Sequence, residues 1–215
     1  MILSLKIRNI VLVGAFNPMV FDKYFFIKNQ IVKEDEILVG SVFGTLGGMQ
    51  LVSNKFNIII SLKQIIISAT KSESNEDEIS KIILSIIEAG KIVNVTAMGI
   101  NFHWFLEETS KTLEEISKHY FYNDKLKLFS KFFNADNSMF GVYASTNFKD
   151  SRLKLDVKPN KLQDIIKKTF QEEISFAFNF HFDIKNQNDN LELIKYLNDY
   201  NSYRKESDRI ISIYK

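Results

Sequence analysis

Two short segments combine residue types that could bind a ligand. Residues 101–104 and 179–182 both read Asn-Phe-His followed by an aromatic residue, and an aspartate follows the second segment. Amide, imidazole and carboxylate groups in this combination are suited to an anion or a metal ion. The candidate ligand-binding residues are therefore Asn101, His103, Asn179, His181 and Asp183.

Strand periodicity predicts that these polar side chains share one face of a sheet. In a strand over 173–184, the aromatic side chains at 176, 178, 180 and 182 occupy one face, and Asn179, His181 and Asp183 occupy the other. In a strand over 92–106, Asn101 and His103 likewise lie opposite the apolar side chains. If the two strands pair, all five polar side chains could converge on one site. The alternative is the ordinary polar face of a half-buried antiparallel sheet.

The composition supplies few groups for catalysis. The 215 residues include no Cys and three His, which excludes disulfides, thiolate metal sites and a Cys nucleophile. The 28 basic and 26 acidic residues leave a net charge of +2, which is too small to attract nucleic acid or an anionic membrane over a long range. We assign no catalytic residue, no resident metal and no cofactor, and nucleic-acid binding is disfavoured.

Hydrophobic periodicity predicts the elements that must position the two segments. Five isoleucines at helical spacing between 79 and 87 indicate a helix that ends at Gly90. A helical stretch over 110–133, a short helix after Pro159 and a C-terminal helix from 191 are also predicted, together with strands at the N-terminus and over 56–69. This order favours an α+β fold, with a mostly antiparallel sheet and helices on one side.

The chain shows no linker rich in Gly, Pro or Ser, which predicts one domain over residues 1–215. A Ser-x-Phe-Gly sequence recurs at 41–44 and 138–141, in addition to the repeated Asn-Phe-His. These matches suggest two pseudo-repeats, 41–133 and 138–215, after an N-terminal strand segment, 1–40. Each repeat would read strand, strand, helix, strand, helix. Chance matches in an Asn- and Phe-rich chain are the alternative.

Residues 14–18 read Gly-Ala-Phe-Asn-Pro after an apolar strand. This segment resembles the start of adenylyltransferase-type nucleotidyltransferases, where a strand-to-helix turn presents backbone N–H groups to phosphates. The histidines that follow in that family are missing from residues 19–23. A strand followed by an Asn-Pro turn is therefore the favoured interpretation.

A second resemblance covers more of the chain. The sequence reads Gly-Ala-Phe-Asn-Pro-Met-Val-Phe at 14–21, Ala-Met-Gly-Ile-Asn at 97–101 and Asn-Phe-His-Phe at 179–182. It resembles a sparsely distributed group of bacterial proteins of similar length, for which no function is known. The resemblance implies a shared family and a bacterial origin, and it implies no activity.

Two features bear on location and partners. Lys6 and Arg8 interrupt the apolar N-terminus, and no stretch reaches the roughly 18 apolar residues of a membrane helix, so we expect a cytoplasmic protein with no membrane partner. Crowded aromatic residues predict exposed contact surfaces for a protein partner or for self-association. These residues are Phe21, Tyr24, Phe25 and Phe26, and in the C-terminal helix Tyr196, Tyr200, Tyr203 and Tyr214.

The leading hypothesis is a non-enzymatic interaction or scaffold protein that works as a homodimer or within a bacterial complex. It depends on the scarcity of catalytic groups and on the surplus of aromatic residues. Two alternatives stay open. One is a small-ligand or metal-binding protein, or an enzyme, that uses the Asn-x-His strands. The other is a nucleic-acid-binding module on a duplicated sheet.

Overall fold

The computed structural model describes residues 2–45, 47–70, 78–107, 110–164, 169–187 and 189–214. These residues form nine strands: β1 Ile2–Gly14, β2 Val42–Thr45, β3 Gly48–Val52, β4 Phe56–Ile60, β5 Gln64–Ala69, β6 Val95–Glu107, β7 Val142–Phe148, β8 Ser151–Asp164 and β9 Thr169–Asp183. They also form six α-helices: α1 Lys23–Lys28, α2 Glu78–Ala89, α3 Leu113–Phe121, α4 Lys127–Phe132, α5 Leu191–Asn198 and α6 Tyr200–Ile211. Short 3-10 helices span Pro18–Val20, Glu34–Glu36 and Ser212–Tyr214.

All nine described strands belong to one open antiparallel sheet, in the order β2-β3-β4-β5-β1-β6-β9-β8-β7. The long strands β1 and β6 pair at its centre from Ile2 opposite Glu107 to Gly14 opposite Val95. The two edges are formed by β2 and β7. The predicted α+β fold with a mostly antiparallel sheet is confirmed.

One face of the sheet forms the hydrophobic core with the helices. On this face the even-numbered residues are buried from Met98 to Leu106 in β6 and from Ile174 to Phe182 in β9, as their alternation predicts. Helix α3 places Phe121 against Phe176, with ring centroids 6.3 Å apart, and α5 stacks Tyr196 on Phe182 at 4.6 Å. Helix α2 buries the predicted isoleucine stripe and ends before Gly90, so that helix prediction is confirmed. The stripe consists of Ile79, Ile82, Ile83, Ile86 and Ile87.

The opposite face, called here the open face, carries the odd-numbered side chains of β6 and β9. Its central strand β1 contributes Asn9 and Val11, whose neighbours Ile10 and Leu12 point into the core. The β1–β6 register shifts between Leu5 and Ile7, which leaves Lys6 as an extra residue in β1. Polar and apolar side chains are therefore mixed on the open face.

The helix predicted after Pro159 is wrong, because β8 continues through this residue to Asp164. Strand β7 pairs with β8 only from Ser151 to Val157. Beyond Val157, β8 has its partner β9 on one side, with Pro159 opposite Ile174. A proline has no N–H to donate and is tolerated where a strand has become an edge. Long-range pairing with β9 thus outweighs the local preference of proline for a first helical turn.

Two other predicted elements are each divided. The strand predicted over 56–69 is a hairpin, in which β4 pairs with β5 from Phe56 opposite Ala69 to Ile60 opposite Ile65. The helical stretch predicted over 110–133 contains α3 and α4 as separate helices, and its neighbours 108–109 lie outside the described residues. Strand β3 did not stand out in the sequence as a separate strand.

The proposed duplication stays a prediction. The two Ser-x-Phe-Gly segments lie in β2 and directly before β7, at opposite edges of the sheet. The order of elements differs between the predicted units, because α2 separates β5 from β6, whereas β8 and β9 pair with each other as a hairpin.

Candidate functional site

Asn101 and Asn179 meet on the open face, as their strand phase predicts. The register places them directly opposite each other, and the Asn179 amide donates to Asn101 Oδ1 at 2.6 Å. The Asn101 amide donates in turn to Asn9 Oδ1 at 2.7 Å. These three side chains form an asparagine row across β9, β6 and β1. The sequence did not single out Asn9, although its position in an alternating strand was a usable signal.

The two histidines lie far apart on the same face. His103 is opposite Ala177 of β9, whereas His181 is opposite Gly99 of β6. Positions 177 and 181 are separated by about 13 Å along a strand that rises roughly 3.3 Å per residue. The single cluster of five residues is therefore not formed. Among the described residues, no group of three or more His, Asp or Glu side chains is placed to hold a metal ion.

His103 has a mainly apolar environment. It is half-buried, and its neighbours across the two adjoining strands are Ile7 and Ala177. Burial lowers the pKa of His103, because the imidazolium form loses solvation. The side chain is therefore neutral at pH 7.

His181 and Asp183 lie at the end of β9, where they line a polar pocket. His181 Nε2 is 3.3 Å from Asp183 Oδ1, and Arg152 of β8 faces His181 directly across the strands. The pocket has a volume of about 390 Å³, and Tyr196 of α5 contributes to its lining. We call it the β8–β9 pocket. Its lining residues are Asn147, Lys149, Asp150, Ser151, Arg152, His181, Asp183, Lys185 and Tyr196.

The Gly-Ala-Phe-Asn-Pro segment has a structural role. The N–H groups of Gly14 and Phe16 donate to the carbonyl oxygens of Lys63 and Leu62, each at 3.0 Å. Asn17 Oδ1 accepts from the N–H of Met19 and caps the 3-10 helix that starts at Pro18. Two of the backbone donors that a phosphate would need are therefore already used. The geometry agrees with a strand followed by an Asn-Pro turn.

Most aromatic residues predicted to be exposed are in the core. In α1 and before it, Phe21 and Phe26 are buried and Phe25 packs on both of them, whereas Tyr24 is 66% exposed. In the C-terminal helices the rings face the sheet, because a tyrosine can bury its ring and direct its hydroxyl outward. The buried tyrosines are Tyr196, Tyr200 and Tyr203, and Tyr214 packs on Phe176.

Exposed apolar side chains are instead found around α4 and β7. Phe132 is 74% exposed, and Leu128 and Phe133 are also exposed. Helix α4 is anchored by Phe129, whose ring lies 5.0 Å from Phe140, just before β7. We call β7 together with the exposed side chains of α4 the β7–α4 surface. The sequence did not reveal it, since the exposure of α4 depends on packing that local periodicity does not report.

The asparagine row yields a prediction about stability. Replacing Asn101 with leucine removes the middle amide and leaves the Asn179 donor and the Asn9 acceptor without this partner. All three side chains are half-buried, so the free energy of unfolding should fall by about 1 kcal/mol. Changing all three asparagines to valine should recover part of that loss, because no side-chain amide of the row is then left without its hydrogen-bond partner. Urea denaturation measures both, and a triple variant that loses three times as much as the single one would contradict the network.

Comparisons with protein-family models and with curated proteins found no match. Among the described residues, no helix is both long enough and apolar enough to cross a membrane. Three features of the described structure are candidates for a function: the asparagine row, the β8–β9 pocket and the β7–α4 surface.

Proposed function

We propose that the protein is a non-enzymatic scaffold of the cytoplasm that associates with a second copy of itself through β7. The observation that carries the proposal is a regular, uncharged edge strand. Strand β7 reads Val-Tyr-Ala-Ser-Thr-Asn-Phe and pairs with β8 without a register shift. An edge of this kind offers a row of backbone groups to another strand.

The opposite edge is protected against such pairing. Strand β2 has four residues, its pairing with β3 is irregular between Val42 and Thr45, and Gly44 has a φ of +66°. Short and irregular edges resist the addition of a strand. Strand β7 has seven residues, and it contains neither a charged residue nor a proline that would prevent another strand from pairing with it. The contrast supports β7 as the edge that is used.

Self-pairing is favoured over a foreign strand because β7 is self-complementary. An antiparallel arrangement centred on Ser145 pairs all seven residues with a second copy, with Val142 opposite Phe148 and Ala144 opposite Thr146. No charged residue of β7 then faces a like charge. A twofold axis perpendicular to the sheet also keeps both helix layers on the same side, so the two apolar layers become continuous.

The helix side of β7 provides apolar surface for this contact. A shallow depression of about 210 Å³ lies beside the strand and includes Leu155 and Ile210. At the start of β7, the exposed side chains of α4 extend the apolar area, with Phe132 the most exposed. Exposed apolar surface is a common mark of protein interfaces.

Light scattering coupled to size exclusion tests the association. The wild-type chain should form a dimer that dissociates on dilution. The double variant Ala144→Lys, Thr146→Lys should be monomeric, because each lysine then faces a lysine of the partner. The matched control places two lysines on the opposite edge, Val42→Lys with Thr45→Lys, and should stay dimeric. A monomeric wild type, or equal loss in both variants, would refute the proposal.

Single cysteines test the register, because the natural chain has none. Ser145→Cys should form an intermolecular disulfide, since residues on the twofold axis have Cα atoms about 5 Å apart. Tyr143→Cys is the control: it faces residue 147 of the partner, so its own copy lies about 13 Å away along the strand. Cross-linking of Tyr143→Cys in preference to Ser145→Cys would exclude the proposed pairing.

A further inference from the structure

The β8–β9 pocket has a charge distribution that suits an anion. Two of its charged residues are neutralised by partners on the helix side: Lys149 Nζ lies 2.7 Å from Asp199, and Asp150 lies 2.7 Å from Lys195 Nζ. These contacts leave Arg152 and Lys185 as the cations whose charge is available to the pocket. In the described part of the chain, neither forms an ion pair.

The guanidinium of Arg152 is oriented by neutral groups. It donates to Asn147 Oδ1 at 3.0 Å and to Ser145 Oγ at 2.6 Å, so its direction is fixed while its charge is kept. Three further N–H donors of the guanidinium are not used by these two bonds. A planar fork of this kind matches the oxygen atoms of phosphate or carboxylate.

Lys185 follows the end of β9 and lines the same pocket. Its backbone N–H donates to the Glu192 carboxylate at 2.9 Å, which fixes the main chain at this point. Burial raises the pKa of Tyr196, so this hydroxyl keeps its proton and is a donor at neutral pH. The pocket thus collects cationic and hydroxyl donors in a volume of about 390 Å³, which is in the range of small-molecule sites.

Two carboxylates line the pocket, and Asp150 is paired with Lys195. Asp183 lies 3.3 Å from His181 Nε2 and is 87% exposed in its side chain. High exposure lets water screen its charge. Apart from the paired Asp150, the carboxylate that Arg152 and Lys185 face in the pocket lining is the well-solvated Asp183.

We propose that the β8–β9 pocket binds the phosphate group of a small molecule, with Arg152 and Lys185 as its principal contacts and His181 and Tyr196 beside them. The pocket adjoins the edge strand of the proposed association, because Arg152 donates to Ser145 and Asn147 of β7. The two proposals are distinguished by their measurements: phosphate binding is read from a binding isotherm, and association is read from light scattering.

Calorimetric titration with inorganic phosphate and with glycerol 3-phosphate tests the site at constant ionic strength. Both should give saturable binding to the wild-type chain. Arg152→Gln combined with Lys185→Gln should weaken binding at least about tenfold, which corresponds to the loss of a charge-assisted contact. The control Lys154→Gln lies on the same face, opposite Asn179, and outside the pocket lining, so it should bind within about twofold of the wild type.

Asp183→Asn gives a second readout that a folding defect cannot imitate. Removing the Asp183 carboxylate should tighten phosphate binding severalfold. Tighter binding of glycerol 3-phosphate than of phosphate identifies an organic phosphate as the ligand, and the reverse order identifies the free ion. No saturation with either compound, or equal weakening in the Lys154→Gln control, would overturn the site.

Discussion

Replacing Phe180 with alanine is expected to lower the free energy of unfolding by about 3–5 kcal/mol. The Phe180 side chain is fully buried in β9, on the core face of the sheet. Its ring centroid lies 6.1 Å from Phe102, 5.8 Å from Phe148 and 5.3 Å from Tyr203. It therefore connects β6, β7 and α6. The cavity left by alanine would border three separate elements that cannot all move inward together.

Guanidinium chloride denaturation measures this loss. Tyr24→Ala is the control, because the ring it removes is 66% exposed, and its effect should stay within about 0.5 kcal/mol. A loss below about 1 kcal/mol for Phe180→Ala would mean that the core around this ring can collapse, and that the packing of α6 on β9 is looser than the ring distances indicate.

Much of the fold follows from patterns that are local in sequence. The alternation in β6 and β9 predicted which side chains enter the core, because a pleated strand turns successive residues to opposite faces. The helical spacing of Ile79, Ile83 and Ile86 predicted α2 for the same kind of reason. Each of these segments repeats one simple period over nine or more residues, so its local sequence indicates its structure.

The predictions from local sequence are wrong where contacts with a distant segment determine the structure. Pro159 suggested a helix, but pairing with β9 holds it in a strand at a point where β7 has ended. The tyrosines of α6 suggested an exposed surface, because the rest of that helix is strongly polar. Tyr200 and Tyr203 are buried instead, since the sheet beneath presents Phe102 and Phe180 to them. Whether a ring is buried depends on both the helix and the sheet that pack together, so neither segment predicts it alone.

In the candidate sites, too, local patterns predicted some features and the pairing of distant strands determined the others. The phase of the two Asn-x-His strands predicted that Asn101 and Asn179 share a face, and the antiparallel register makes them direct partners. That register also separates His103 from His181, which no local pattern could reveal. The sequence did not predict Arg152 as a site residue for a related reason. It becomes a neighbour of His181 only through the pairing of β8 with β9. Residues that line a pocket from a third strand need the topology before they can be named.

Gly14, the first residue of the Gly-Ala-Phe-Asn-Pro segment, lies close to the backbone of residues 94–95. Gly14→Ala is expected to destabilise the protein by about 1–3 kcal/mol, because the chain passes too close for a side chain. A Cβ atom at this position would lie 2.5 Å from the carbonyl oxygen of Asn94 and 3.2 Å from Cα of Val95. Both are backbone atoms of the segment leading into β6, and they cannot turn away as a flexible side chain would.

Gly47→Ala is the matched control, since a Cβ there meets nothing within 4 Å. A glycine-to-alanine change also restricts the unfolded chain, which by itself stabilises a protein by about 0.4–1 kcal/mol where the backbone is compatible. Gly47→Ala should therefore be neutral or slightly stabilising, and thermal denaturation of both variants gives the difference. If Gly14→Ala proved as harmless as Gly47→Ala, close packing of β1 against residues 94–95 would not explain the glycine. A requirement for backbone access by a ligand would then have to be reconsidered for this turn.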